Sequence, residues 1–251
     1  MGINEIKGII FDFGFTLYYF KNATLEKYMD CYRRGLDKCT HELSKAKLLK
    51  SDKEKGEFVK KFNERRMQLF KLSRKTSQEF PTSEILEEIS SKMNLKLEKV
   101  FYNKLATLYH SCEEEEWIPF DKTKQTIKTL SKLNIKLAVL SNHPHHKTII
   151  SLLERHKLTK YFDAIITSAL FKKRKPNKEI FIHTIHKMGL KKSDASNIIM
   201  CGDEYADIMG AHKLGLQKIF FLRKVKFPFE KDIPIQNYEK IKNISQILNY
   251  I

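Results

Sequence analysis

Apolar residues follow two different spacings along this chain, and the switch between them divides it. Residues 6–13 (IKGIIFDF) are short, apolar and β-branched, the pattern of a buried strand. From Thr24 the spacing becomes three and four. Leu25, Tyr28, Met29, Tyr32, Leu36, Cys39, Leu43, Ala46 and Leu49 fall on one face of a long helix. The same period continues through Phe58, Phe62, Leu69 and Phe70, through Ile85, Leu86, Ile89 and Met93, and through Phe101, Leu105, Leu108 and Cys112. Residues 18–117 therefore predict a helical insert, roughly a four-helix bundle. The acidic run Glu113–Glu116, then Trp117 and Pro119, marks its exit and reads as a solvated helix end without chemistry.

After Pro119 helical and strand spacings alternate. Helices are predicted over 122–133, 147–156, 178–188 and 206–214, and strands over 135–140, 162–167, 197–201 and 218–222. Residues 238–251 predict a last helix. Strands that alternate with helices imply a parallel sheet covered on both faces, an α/β core.

The chain has 251 residues, 41% of them hydrophobic, enough for a substantial core. No apolar run approaches the length of a membrane span. The first residues lack a secretory pattern, and Ile6 stands where N-myristoylation of Gly2 needs Ser or Thr. Cys31, Cys39, Cys112 and Cys201 form no CxxC pair, so the expectation is four free thiols in a reducing cytoplasm. The formal net charge is +17. Such a balance suits nucleic acid or an anionic surface, but equally solvated lysines or small anionic substrates. Aromatic and basic residues do not interleave as in nucleic-acid motifs, which favours the second reading. Residues 33–75 hold fifteen Lys or Arg against six Asp or Glu. That stretch attracts polyanions if it faces the core and only aids solubility if it faces away. Nothing in the sequence sets the oligomeric state.

Candidate chemistry sits at the predicted strand ends, where parallel sheets gather their ligands. Asp12, Ser141 and Asp203 each follow an apolar run directly. Asp12 is a nucleophile, a metal ligand or a capping carboxylate. Asp203 and Asp207 are four apart at a helix start, placed to converge or to cap. Gly202 permits a tight turn and a close approach there. Hard carboxylate oxygens at this spacing suit Mg²⁺. Ser141 and the backbone N–H of Asn142 are placed to bond phosphoryl oxygens. Lys175, held extended before Pro176, is placed to neutralise a phosphate and the Asp12 carboxylate. His143, His145 and His146 read mainly as a polar loop entering a helix, with His143 nearest the phosphate tip.

These residues and their order resemble the haloacid dehalogenase superfamily of hydrolases, over nearly the whole chain. That pattern is Asp-x-Asp-x-Thr, then Ser or Thr, then Lys, then Gly-Asp-x-x-x-Asp. Asp12, Thr16, Ser141, Lys175, Asp203 and Asp207 match it, and KPNKEIF and GDEYADIMGA are similar to the phosphatase-like branch. The resemblance implies a Rossmann-like core of residues 1–17 and 118–251, with residues 18–117 as a helical cap inserted after the first strand. It also implies an aspartyl-phosphate formed at Asp12. Mg²⁺ would be held by Asp12, the carbonyl of Gly14, Asp203 and Asp207. The phosphate of a small substrate would be bound by Thr16, Ser141, Asn142 and Lys175.

Gly14 departs from the pattern. Phosphatases of the family carry there the Asp that protonates the leaving group and later activates water. Glycine keeps a carbonyl for the metal but moves no proton, a loss of about 10² to 10⁴ in rate. Three expectations follow. The leaving group has a low pKa; a cap side chain or loop histidine supplies the proton; or turnover is lost and only binding, of nucleic acid for instance, remains. Branches with Tyr (dehalogenases) or Ala (phosphonatases) at this position are further alternatives. Gly202-Asp203, the metal-binding form of the last motif, weighs against the dehalogenases, and the phosphonatases need a cap lysine.

Overall fold

Strand β1 (Gly8–Phe11) lies inside a six-stranded, wholly parallel sheet, and every residue of it is buried. The other strands are β4 (Lys136–Ser141), β5 (Ala164–Thr167), β6 (Ile198–Gly202), β7 (Gln217–Phe221) and β8 (Glu239–Ile241), in the order β5-β4-β1-β6-β7-β8. The computed structural model describes residues 5–223, 225, 227 and 230–251, so Gly2 lies outside them.

The two faces of the sheet follow from the period of two in its strands. Ile9, Phe11, Leu137, Val139, Ile199 and Cys201 point to one side, against α6 (Thr123–Leu130), α7 (His146–Arg155) and 3-10 turns over Ile244–Tyr250. Ile10, Ala138, Leu140, Ile198 and Met200 point to the other, against α9 (Lys178–Lys187) and α10 (Tyr205–His212). A one-turn helix, α8 (Ser168–Phe171), follows β5. This is the doubly covered α/β core that the alternating pattern predicts.

Residues 25–109 form the four predicted helices: α1 (Leu25–Lys45), α2 (Asp52–Thr76), α3 (Thr82–Lys92) and α4 (Lys99–Tyr109). Thr24 and Ser51 cap the first two, accepting from the N–H groups of Lys27 and Glu54. Leu36, Leu43, Phe58, Phe62, Leu86 and Leu105 pack into a hydrophobic cluster of their own. At the base, β2 (Tyr18–Phe20) pairs antiparallel with β3 (Trp117–Pro119), a ribbon through which the chain leaves the core and returns.

Three expectations change. Residues 238–251 are not one helix: Glu239–Ile241 pairs with the open edge of β7, and the rest forms 3-10 turns capped by Asn243. Two of the four cysteines are not free. Cys31 of α1 and Cys112, eighty-one residues later, form a buried disulfide with Cα atoms 5.5 Å apart. Spacing along the chain hid this pair because the fold, not proximity in sequence, brings it together. Cys39 and Cys201 remain buried thiols. Finally, the acidic run is not all solvated: Glu113, in the one-turn helix α5 (Glu113–Glu116), is 1% exposed. Among the described residues no helix is long and apolar enough to cross a membrane.

Candidate active site

Three strand ends and one loop meet at the carboxyl edge of the sheet. Asp12 leaves β1 with its N–H donated to the carbonyl of Cys201, which draws the ends of β1 and β6 together. Asp203 follows β6, and Ser141 closes β4; both are buried. Lys175 reaches in from the loop before α9. Its ammonium, with no exposed surface, donates to Asp12 Oδ1 (2.6 Å) and the Leu140 carbonyl (2.8 Å), and lies 2.7 Å from Asp207 Oδ1. The Asn142 side chain fixes that loop: its Oδ1 accepts from the Lys175 N–H and its Nδ2 donates to the Lys175 carbonyl. The Lys175–Pro176 peptide is cis.

The electrostatics are those of crowded carboxylates. Oxygens of Asp12, Asp203 and Asp207 all lie within 4.8 Å of one another. Burial, with Asp12 next, pushes Asp203 well above the usual carboxylate range. Burial also raises Asp207, to about 7, although Lys175 opposes the shift. Burial alone would lower Lys175, but Asp12 and Asp207 hold it above the usual lysine value. Three buried carboxylates beside the Lys175 ammonium and the Arg223 guanidinium still leave negative charge in excess, so the donor set fits a divalent cation with a preference for oxygen. Gly202 is required here: a Cβ on it would stand 2.3 Å from the Asp207 carboxyl carbon.

Two residues take places the sequence did not indicate for them. Thr16 is fully buried and donates its hydroxyl to Asp203 Oδ1 (2.8 Å), so it braces that carboxylate. His143 turns to the insert and its own loop: its Nε2 lies 2.9 Å from Glu113 Oε2, and its Nδ1 contacts the backbone of His145. Asn142 acts through its side chain as well as the N–H first considered.

The space above Gly14 is filled. A Cβ there would meet the Cη2 of Trp117 at 3.0 Å. The indole is locked by Nε1 donating to Glu113 Oε2 (3.2 Å) and by edge-to-face contacts with Phe13, Phe15 and Phe20. Arg223 is also part of the site: its guanidinium lies 2.9 Å from Asp203 Oδ2 and covers the Phe15 ring at 5.1 Å. It follows β7 almost directly, so the strand-end rule applied to Asp12 and Asp203 could have found it. Trp117 left no such signal, because its contact with Gly14 depends on how the ribbon folds back.

A buried carboxylate paired with a buried lysine, beside two acidic residues at the carboxyl edge of a doubly covered parallel sheet with a helical insert, is the arrangement of a class of α/β hydrolases. The chain belongs to the haloacid dehalogenase-like hydrolase family, whose profile matches residues 57–221. It is 30% identical over 135 residues to a haloacid dehalogenase-like hydrolase domain-containing protein 3 of Danio rerio, covering 53% of this chain and 54% of that one. It is 33% identical over 118 residues to a phosphoglycolate phosphatase of Agrobacterium fabrum, covering 47% and 49%. The chain thus spans about half the length of the curated relatives it matches. Among solved structures, a 2-haloacid dehalogenase from Pseudomonas syringae superposes with a TM-score of 0.66 at 19% identity, over 98% of this chain and 97% of that one. A phosphatase of the family from Thermococcus onnurineus gives 0.58 at 19%, over 97% of each chain. At these identities the two structures speak to the fold alone.

Proposed function

We propose that this chain hydrolyses a small phosphate ester or anhydride through an aspartyl-phosphate at Asp12, and is restricted to leaving groups that depart without a proton. The observation that carries this reading is Asp12 held by Lys175 beside Asp203, with Trp117 closing the place above Gly14. Relatives named as phosphatases support the reaction class. Asp12, Asp203 and Asp207, with the Gly14 carbonyl, would hold Mg²⁺, which when bound offsets the charge of the phosphoryl group.

In the first half-reaction a carboxylate oxygen of Asp12 bonds to phosphorus, and the leaving oxygen takes the electrons of the broken P–O bond. Lys175 and the Asn142 N–H, with Ser141, stabilise the transferring oxygens. Water then cleaves the acyl phosphate and restores Asp12. No carboxyl group at position 14 assists either half, so kcat/KM, which reports the first half, should follow the acidity of the leaving group: acyl phosphate above aryl, aryl above alkyl. Replacement of Asp12 by Asn should abolish phosphate release while the circular dichroism spectrum stays unchanged. Retained turnover in that variant ends the nucleophile assignment. Chloride release from 2-haloacids without phosphate release would favour the dehalogenase branch, and no turnover alongside salt-sensitive RNA binding would favour a binding protein. Cytoplasmic residence rested on four reduced thiols, and the Cys31–Cys112 bond removes that support.

A further inference from the structure

Outside the aspartate site lies a buried cluster that takes no step in the chemistry above, although its Glu113 also holds Trp117. His110, at the end of α4, and Glu113, at the start of α5, are each 1% exposed, and His143 enters from the loop after β4. His110 Nδ1 lies 2.6 Å from Glu113 Oε1, and His143 Nε2 lies 2.9 Å from Glu113 Oε2. All three donor atoms fall within 4.8 Å of one another.

We propose that His110, Glu113 and His143 form a second cation site, for a zinc-class transition ion, bridging the helical insert to the sheet core. Two imidazoles and one carboxylate form a borderline-soft set that suits zinc and its neighbours rather than Mg²⁺. Around a shared tetrahedral ion, ligand atoms stand ~3.3 Å apart at zinc bond lengths. The present contacts need open by less than about 1 Å to reach that geometry.

The outer contacts match those of metal ligands. A coordinating histidine usually gives its other ring N–H to an oxygen, which fixes the tautomer. His110 Nε2 lies 2.7 Å from Thr82 Oγ1, and His143 Nδ1 lies 2.9 Å from the His145 carbonyl and 3.1 Å from the His145 N–H, so it is the tautomer protonated at Nδ1 that gives its N–H to that carbonyl. Both rings can thereby present their remaining nitrogen to the space beside Glu113. The carboxylate is itself oriented by Trp117 Nε1. The His145 ring stacks on His110 with centroids 5.1 Å apart, closing one side. Two ligands come from residues 110–113 and one from the core loop two residues beyond Ser141, so the ion would pin the insert over the aspartate site.

The test is titration of chelator-stripped protein with Zn²⁺ by calorimetry and with Co²⁺ by visible absorption, with excess Mg²⁺ to saturate the aspartates. One ion per chain is expected, with the strong visible bands of four-coordinate Co²⁺. His143→Ala should abolish binding, and Thr82→Val should weaken it roughly 10-fold. Asp203→Asn should leave it intact, which separates this site from the aspartate site and from the proposed hydrolysis. Absence of uptake by the wild-type chain overturns the proposal, independently of how any variant folds. Equal uptake by wild type and a folded Glu113→Gln variant overturns it as well.

Discussion

At the scale of single residues, the contact between Gly14 and Trp117 revises what restoring an acid would do. Sequence comparison alone suggests that Gly14→Asp raises activity on alkyl phosphates. With Cη2 only 3.0 Å from the added Cβ, the indole must shift before Asp can be seated there. The expected outcome is little gain for Gly14→Asp alone and about 10²-fold or more for Gly14→Asp with Trp117→Phe, read as kcat on para-nitrophenyl and alkyl phosphates. The aspartates give a pH prediction. Asp207 and Asp203 have raised values in the metal-free fold, so their protonated forms stabilise it at low pH. That contribution is lost as pH rises from the usual carboxylate range through about 7 for Asp207. A cation that balances them matters most above that point. The increase in Tm on adding Mg²⁺ should therefore be small near about pH 5 and larger near about pH 8, and a pH-independent increase would contradict the balance drawn here.

At the scale of elements, burial periodicity made most of the fold legible. The strands around Ile9, Val139 and Met200 and the helices through Leu36 and Phe62 all lie where apolar spacing put them, because each needs one buried face whatever its partners. The ends of those strands also showed Asp12, Ser141 and Asp203. The short ribbon of β2 and β3 was not legible, since three residues carry too little period to read. Nor were the roles of Glu113 and Trp117, which come from contacts across the insert and core. The disulfide was hidden for the same reason, and it supplies a prediction. It closes a loop of 81 residues, and in the chain-entropy account such a link is worth about 4.5 kcal/mol. Cys31→Ser with Cys112→Ser should lower denaturant stability by up to that amount. The loss should match the effect of a reductant on the wild type, measured as the shift in midpoint.

At the scale of the whole molecule, the charge of +17 bears on encounter rather than on chemistry. An excess of lysine and arginine draws in phosphorylated substrates over a distance that salt shortens to about 10 Å at ~0.1 M. The expected result is that kcat/KM falls as ionic strength rises while kcat holds, in stopped-time assays at fixed Mg²⁺. A flat kcat/KM would mean that the basic surface of residues 33–75 faces away from substrate entry. The sealed position above Gly14 also affects the second half of the cycle. The group missing there is the one that would draw a proton from water, so on the proposed chemistry dephosphorylation is hindered as much as phosphorylation. With a good leaving group the first turnover should outrun the rest. Rapid mixing would then show a burst of product equal to the enzyme present, and intact mass spectrometry at steady state would find most chains heavier by one phosphoryl group.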